Sequence, residues 1–153
     1  MKFYETIKKY ENENITIYCD MDGVLAEYDI GNFDYKTIRP LMSNITKIEN
    51  LMKQDNISVK ILSICKTNDI INDKKVWFKK YMPFLKEEDM ILISKELTKY
   101  SDYSSKEIKS NYLKENIKDK EINILIDDDN SIIKYIIKNN KDIIVFQVSS
   151  LID

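Results

Sequence analysis

Five short apolar runs, separated by segments of helical periodicity, constrain the fold of this chain more than any other feature. The runs span residues 15–19, 57–62, 90–93, 122–126 and 143–148. Near-continuous apolar runs are typical of strands that are buried on both faces of a parallel sheet. Strands that alternate with helices favour the α/β class. We therefore predict an α/β fold with a parallel sheet of about five strands and flanking helices.

The segments between the runs predict the helices. Apolar residues at helical spacing indicate one helix over residues 41–54 and another over residues 70–82. Ser104 followed by Glu107 is a capping-box pattern that opens a third helix. Asn130 can cap a fourth helix after the run at 122–126, and residues 1–14 can form a further amphipathic helix.

Two of the five runs end in carboxylates. Asp20 and Asp22 follow the first run, and Asp127, Asp128 and Asp129 follow the fourth. A single aspartate after a strand is usually the N-cap of the next helix, but one cap cannot explain five carboxylates at two strand ends. If the two strands are parallel and adjacent, their carboxyl ends meet where open α/β sheets bind ligands. Crowded carboxylates need a cation or a shared proton, and hard oxygen ligands favour Mg²⁺.

These residues resemble the haloacid dehalogenase-like (HAD) phosphohydrolases over roughly residues 15–148. The first motif of that family is a strand followed by DxD and often Gly-Val, which here is the segment Asp20 to Val24. The second is a Ser or Thr that ends the next strand, matched by Ser63, and the fourth is an acidic pair at a strand end, matched by Asp127 and Asp128. The resemblance implies a Rossmann-like, HAD-like core.

The wider pattern resembles one branch of this family. The chain shows ILS, then KKVWF at 74–78, then YMP at 81–83, and finally LIDDD. This order is similar to that of the short 5′(3′)-deoxyribonucleotidase-like proteins. The resemblance implies a phosphatase that uses Mg²⁺ and acts on a small phosphorylated substrate, in the first place a nucleoside monophosphate.

The resemblance also implies roles for the acidic residues. Asp20 becomes the nucleophile that forms an aspartyl-phosphate, and Asp22 transfers the proton while its backbone carbonyl binds the metal. Asp20 and a downstream acid complete the metal shell, with Asp128 favoured over Asp127. Carboxylate nucleophiles split one slow displacement into two easier steps.

The phosphoryl group needs donors as well. The resemblance assigns Ser63 and the backbone N–H of Ile64 to the phosphoryl oxygens. For the lysine there are two candidates: Lys109 is placed as in the general third motif, and Lys74 matches the nucleotidase branch. Lys106 is a third possibility.

Only a short segment, residues 27–40, is available to cover the site between the first and second motifs. We predict a single domain over residues 1–153 with a loop or small lid there. Tyr28, Phe33 and Tyr35 can either stack on a nucleobase or anchor the loop to the core. An open site could instead admit a nucleic-acid end or a phosphoprotein.

Composition excludes several other classes of function. The chain has 153 residues, no histidine and only two glycines, which excludes Ser-His and Cys-His catalysis and a P-loop. A net charge of −2 gives no general attraction to nucleic acid. The charged N-terminal segment and the lack of long apolar stretches favour a cytoplasmic protein with no membrane contact. Cys19 and Cys65 are expected to be buried thiols rather than a disulfide. Oligomeric state is left open.

Two rival functions have the same acidic signature. A phospho-acceptor domain of the response-regulator type also gathers carboxylates and Mg²⁺ at strand ends, but it needs an acceptor aspartate after its third strand, where this chain has Ile93 and Ser94. A degenerate binding module could keep the fold without the activity. Intact Asp20 and Asp22 argue against the second rival.

Overall fold

A computed structural model describes residues 1–32, 34–97 and 99–152 of the chain. Its five strands are β1 (Ile15–Cys19), β2 (Ile57–Cys65), β3 (Met90–Ser94), β4 (Ile122–Asp127) and β5 (Ile143–Gln147). Each corresponds to one of the apolar runs, so the predicted number and placement of the strands are confirmed.

Helices separate the strands as the periodicity predicts. They are α1 (Phe3–Lys9), α2 (Met42–Met52), α3 (Asn68–Tyr81), α4 (Ser105–Asn116) and α5 (Asn130–Asn139), with short 3₁₀ helices at Glu87–Asp89 and Val148–Leu151. The described helices include none that is long and apolar enough to cross a membrane.

The sheet is parallel throughout, with the strand order β3-β2-β1-β4-β5. β1 lies in the centre and pairs with β2 on one side and with β4 on the other. Cys19 pairs with Ile126, so Asp20 and Asp127 follow at the same level of the sheet. The chain reverses its direction of winding between β1 and β4, which is where sheets of this kind leave a crevice for ligands.

Successive side chains of each strand point to opposite faces of the sheet, and helices bury both faces. Helices α1, α2 and α3 pack on one face, where Ile48 and Phe78 are fully buried in one apolar cluster with the inward side chains of β1, β2 and β4. Helices α4 and α5 cover the other face through Ile108 and Ile136. Each large apolar side chain that is buried in this way contributes about 1.5–3 kcal/mol to folding.

β2 is longer than its apolar run suggests. It continues through Ile64 and Cys65, because these residues pair with Ile93 and Ser94 of β3. Ser63 therefore lies within the strand and not at its end, contrary to the prediction. Its hydroxyl is buried among side chains.

The N-cap of α5 also differs from the prediction. Asp129, and not Asn130, caps this helix: its carboxylate accepts hydrogen bonds from the backbone N–H of Ser131 at 2.8 Å and of Ile132 at 3.4 Å. The capping box that opens α4 is confirmed, since the Glu107 carboxylate accepts from the backbone N–H of Ser104. One of the five carboxylates at the strand ends is thus a cap.

Candidate active site

Three carboxylates meet at the carboxyl edge of the sheet. Asp20 follows β1, Asp127 is the last residue of β4 and Asp128 comes next, and a carboxylate oxygen from each lies within 4.8 Å of the other two. Residues more than a hundred positions apart therefore converge as the sequence predicts, because β1 and β4 are adjacent and parallel. Three hard oxygen donors at this spacing suit a small divalent cation such as Mg²⁺.

Lys109 of α4 projects into this cluster of three carboxylates. Its ammonium lies 3.0 Å from Asp20 and 2.6 Å from Asp127, and its side chain is only 2% exposed. Burial disfavours the charged ammonium, but the negative charges of Asp20 and Asp127 outweigh this effect and raise the pKa of Lys109. The lysine therefore supplies a fixed positive charge beside the predicted nucleophile.

The carboxylates of the cluster are themselves perturbed. Burial raises the pKa of Asp20 to about 7, with Lys109 opposing this rise and Asp127 adding to it. Burial, together with the charge of Asp127, raises the pKa of Asp128 to about 6. Both groups thus need positive charge nearby to be fully ionised at neutral pH, and a bound cation would supply it.

Asp127 and Asp128 have different surroundings. Asp127 is fully buried, and both of its oxygens are engaged: one accepts from the backbone N–H of Asp129 at 3.0 Å and the other from Lys109 at 2.6 Å. Asp128 is only half-buried. This arrangement favours Asp128 over Asp127 as the downstream metal ligand, which is the same preference that the family resemblance implies.

Gly23 makes room for Asp128. Its φ of +79° lies in the left-handed region, which a residue with a Cβ rarely adopts. A Cβ at this position would also overlap the carboxylate of Asp128. The sequence predicts a sharp turn at Gly23, and the structure adds a second requirement for glycine, namely close approach to the acidic pair.

A second polar cluster lies beside the first and contains Asp22, Lys74 and Ser63. The Lys74 ammonium lies 3.2 Å from the Asp22 carboxylate and donates to the Ser63 hydroxyl at 2.8 Å and to the carbonyl of Ile64 at 3.4 Å. Lys74 is 1% exposed. The candidate residues Ser63, Ile64 and Lys74 are thus brought together next to Asp22, one of the two aspartates predicted to be catalytic.

The three candidate lysines lie in different places in the structure. Lys74 and Lys109 are both buried at the site, in contact with Asp22 and Asp20 respectively. Lys106 instead lies on the outside of α4, with its ammonium 5.5 Å from the ring centre of Tyr135. Lys109, which the general third motif predicts, and Lys74, which the nucleotidase branch predicts, therefore both lie in the site, at different positions.

The sequence leaves two roles open for Tyr35, and the structure supports the anchoring role. Its hydroxyl lies 3.0 Å from each oxygen of the Asp22 carboxylate, and its ring is only 8% exposed. Tyr35 therefore anchors the loop and does not stack on a base. The hydrogen bond to Asp22 is what the sequence did not predict, and the signal for it is weak: a tyrosine that is buried needs a hydrogen-bond partner for its hydroxyl.

A cleft of about 200 Å³ opens beside Asp22 and Lys74. Segment 27–40 supplies much of its lining through Glu27, Tyr28 and Asp29. Tyr28 is 61% exposed and its ring can contact a ligand. Phe33, the third aromatic residue of the loop, lies outside the described residues.

Similar proteins were found by comparing the structure with solved structures. Scans against protein-family models and against curated proteins found no match. Among solved structures, the HAD domain of the effector protein Lem4 from Legionella pneumophila is similar, with a TM-score of 0.52 and 13% identity over 88% of this chain and 84% of that one. The chain has a HAD-like fold.

Two larger proteins share this HAD-like fold. A chain of the Pnkp1/Rnl/Hen1 RNA repair complex matches with a TM-score of 0.66 and 20% identity over 89% of this chain. The N-terminal part of BF1531 from Bacteroides fragilis, which contains a phosphatase domain complexed with Mg, matches with a TM-score of 0.58 and 16% identity over 95% of this chain. The chain spans 42% and 38% of the length of these two chains.

Proposed function

We propose that this protein is a Mg²⁺-dependent phosphomonoester hydrolase that acts through an aspartyl-phosphate on Asp20. The observation that carries the proposal is the convergence of three carboxylates, within 4.8 Å of one another, at the crevice between β1 and β4. Lys109 touches the nucleophile in this cluster at 3.0 Å. The HAD-like fold supports the proposal because it places these residues at the carboxyl ends of adjacent parallel strands.

The donor set fits a magnesium ion. The carboxylates of Asp20 and Asp128 and the backbone carbonyl of Asp22 would hold it, with Asp127 close behind. A bound Mg²⁺ supplies positive charge that allows the anionic phosphate and the anionic nucleophile to approach each other.

The chemistry divides into two displacements. In the first, a carboxylate oxygen of Asp20 forms a bond to phosphorus while the bond to the leaving oxygen breaks, and Asp22 gives its proton to that oxygen. In the second, Asp22 takes a proton from water, the water oxygen bonds to phosphorus, and the bond from phosphorus to Asp20 breaks. Inorganic phosphate is released and both aspartates return to their starting state.

The buried donors beside the aspartates would hold the phosphoryl oxygens. Ser63, the backbone N–H of Ile64 and Lys74 lie on the side of Asp22, whereas Lys109 lies on the side of Asp20. Fixed donors of this kind need no reorganisation during the reaction, and removal of one typically lowers kcat by about 10²–10³-fold.

For the substrate we favour a nucleoside monophosphate. The cleft beside Asp22 combines the exposed ring of Tyr28 with the polar side chains of Glu27 and Asn32. A tyrosine ring that stacks on a base contributes roughly 1–3 kcal/mol. The polar side chains that line the same cleft would then bind the sugar hydroxyls. The resemblance to deoxyribonucleotidases supports the same substrate class.

A phosphorylated nucleic-acid end is a second candidate. Lys106 of α4 and Lys134 and Lys138 of α5 line a shallow groove with Ser131 and Tyr135. Lys106 lies one helical turn before the site residue Lys109, so a strand whose end enters the site could contact the groove. One of the structural neighbours is a chain of an RNA repair complex, which supports this candidate.

A panel of phosphomonoesters tests both candidates. It contains p-nitrophenyl phosphate, nucleoside 5′- and 3′-monophosphates, sugar phosphates and oligonucleotides with a phosphate at either end, each assayed with Mg²⁺. We expect hydrolysis that is abolished by EDTA and by Asp20→Asn. Preference for nucleotides over sugar phosphates supports the first candidate, and preference for oligonucleotides supports the second.

Two outcomes would contradict the proposal. Activity that survives Asp20→Asn excludes the aspartyl-phosphate, and activity that survives EDTA excludes the metal requirement. If the wild-type protein hydrolyses nothing in the panel, a non-catalytic binding module of the same fold becomes the better interpretation.

A further inference from the structure

Tyr35 links the loop over the site to the predicted proton donor. Its hydroxyl donates to the carboxylate of Asp22, with both oxygens at 3.0 Å. The ring of Tyr35 is packed in the same apolar core as the inward face of β1. Tyr35 is only 8% exposed, and its hydroxyl finds the partner that a buried tyrosine needs in Asp22.

Hydrogen bonds also hold the base of the loop. The backbone N–H of Glu27 donates to the carbonyl of Arg39 at 2.9 Å and closes the base of the loop. The indole N–H of Trp77 donates to the carbonyl of Ile38 at 3.0 Å. Tyr35 therefore lies in a loop whose base is closed and which is tied to α3, so that its hydroxyl is held beside Asp22.

Lys74 completes the surroundings of the Asp22 carboxylate. Its ammonium lies 3.2 Å from one carboxylate oxygen and 4.9 Å from the centre of the Tyr35 ring. The lysine comes from α3 and the tyrosine from the loop, so two separate elements hold one carboxylate. The Asp22 side chain is 24% exposed and would otherwise be free to rotate toward the cleft.

We propose that Tyr35 is a positioning residue that orients Asp22 for proton transfer to the leaving group. This inference rests on the proposed function and concerns a residue that makes no contact with phosphorus. It assigns the short loop a part in the chemistry, in addition to lining the cleft. The effect of Tyr35 should then scale with how much the leaving group needs a proton.

The test compares two leaving groups in one variant. A nitrophenolate departs without a proton, whereas the alkoxide of a nucleoside monophosphate or of glycerol phosphate requires one. Tyr35→Phe removes the hydroxyl and keeps the ring. We expect it to lower kcat/KM for the alkyl phosphate about tenfold or more, up to the roughly 10²–10⁴-fold contribution of a general acid, and to change kcat/KM for p-nitrophenyl phosphate by less than about threefold. The comparison uses kcat/KM because it reports the first displacement, in which the leaving group departs, and not the later step in which Asp22 activates water.

Two further variants serve as controls. Tyr112→Phe removes a partly buried hydroxyl from α4, on the other face of the sheet, and should leave both rates unchanged. Asp22→Asn should show the same selective loss in kcat/KM, and adding Tyr35→Phe to it should lower kcat/KM for the alkyl phosphate no further, because the tyrosine acts through Asp22. Thermal unfolding of each variant establishes that it is folded at the assay temperature.

Several outcomes overturn the proposal. An equal loss of kcat/KM on both leaving groups shows a structural role, and an unchanged kcat/KM for the alkyl phosphate shows no role. If Tyr35→Phe does not fold, Asp22→Asn decides the matter, since a loss of kcat/KM that is not selective for alkyl phosphates removes the function that Tyr35 would position. A wild-type protein that hydrolyses neither substrate refutes the proposed function itself, and the assignment of Tyr35 fails with it.

Discussion

The backbone of Gly23 lies directly against the carboxylate of Asp128. A Cβ built on Gly23 would overlap that carboxylate and lie 3.1 Å from the Cβ of Asp128. The turn after β1 and the acidic pair after β4 are therefore packed together with no space between them. This contact fixes the distance between the two halves of the candidate metal site.

Gly23→Ala should damage the site more than the fold. The added methyl group displaces Asp128, and the left-handed φ of +79° adds a cost of roughly 1–2 kcal/mol to folding. We expect Mg²⁺ affinity, measured by calorimetry, to fall at least about tenfold, which corresponds to about 1.4 kcal/mol.

Gly31→Ala is the matched control for that substitution. A Cβ at Gly31 would lie 3.4 Å from a carboxylate oxygen of Asp29, and its φ is outside the left-handed region. This variant should bind Mg²⁺ as the wild type does. Equal affinities for Gly23→Ala and Gly31→Ala would contradict the close packing of Gly23 on Asp128.

Lys109→Met should destabilise the metal-free protein at neutral pH. The substitution removes the only ammonium group that the structure places within 4 Å of Asp20 and Asp127, among the described residues. Removal of one partner from a buried ion pair typically costs about 3–5 kcal/mol. Urea unfolding in EDTA measures the loss.

The control for Lys109→Met is Lys114→Met, an exposed position on the same helix. Its free energy of unfolding should change by no more than about 0.5 kcal/mol. If Lys109→Met were as stable as Lys114→Met, the ammonium of Lys109 would not be what balances the buried carboxylates.

The stability of the metal-free protein should fall as the pH rises from about 4 to about 7. The pKa of Asp20 is raised to about 7 and that of Asp128 to about 6, both chiefly by burial. In the unfolded chain these groups ionise near about pH 4, so within this window the folded protein binds more protons than the unfolded chain. The stability that this proton binding contributes is therefore lost as the pH rises.

Asp20→Asn isolates this effect, because asparagine stays neutral at every pH. In EDTA, the gain in stability of Asp20→Asn over the wild type should be larger at about pH 7.5 than at about pH 5. Urea unfolding at the two pH values gives the difference. A gain that is constant, or that shrinks as the pH rises, would contradict a raised pKa for Asp20.

Much of the fold follows from patterns that are local in the sequence. Five apolar runs give five strands because each run is long enough to be buried on both faces. The convergence of Asp20 and Asp128 follows from the parallel pairing of β1 and β4. Neither result requires knowledge of a particular side-chain contact.

The features that the sequence does not predict depend on tertiary contacts. Ser63 lies inside β2 because β3 provides hydrogen-bonding partners for two more residues of the strand. Asp129 takes the cap of α5 because its carboxylate, and not that of a neighbour, faces the first turn. Tyr35 reaches Asp22 only because the loop folds back over the cleft. For Ser63 and Tyr35 the contacting residues are distant in sequence. For the cap of α5 the outcome depends on the direction in which one side chain points.

The separate roles of Lys74 and Lys109 illustrate the same limit. Spacing relative to the motifs makes each of them a candidate for the phosphoryl-binding lysine, and it cannot choose between them. The structure places Lys109 on Asp20 and Lys74 on Asp22 and Ser63. Two lysines that are both at most 2% exposed indicate a site that balances two separate groups of negative charge.

Binding of Mg²⁺ to the wild type, Asp20→Asn, Asp128→Asn and Asp129→Asn tests the central claim most directly. Asp129 is adjacent in sequence but caps α5, and asparagine is an equally good N-cap, so this variant is the matched control. Calorimetry should show one site in the wild type and in Asp129→Asn, and affinity at least about tenfold weaker in each of the other two. Equal binding by all four proteins would show that Asp20 and Asp128 do not share an ion.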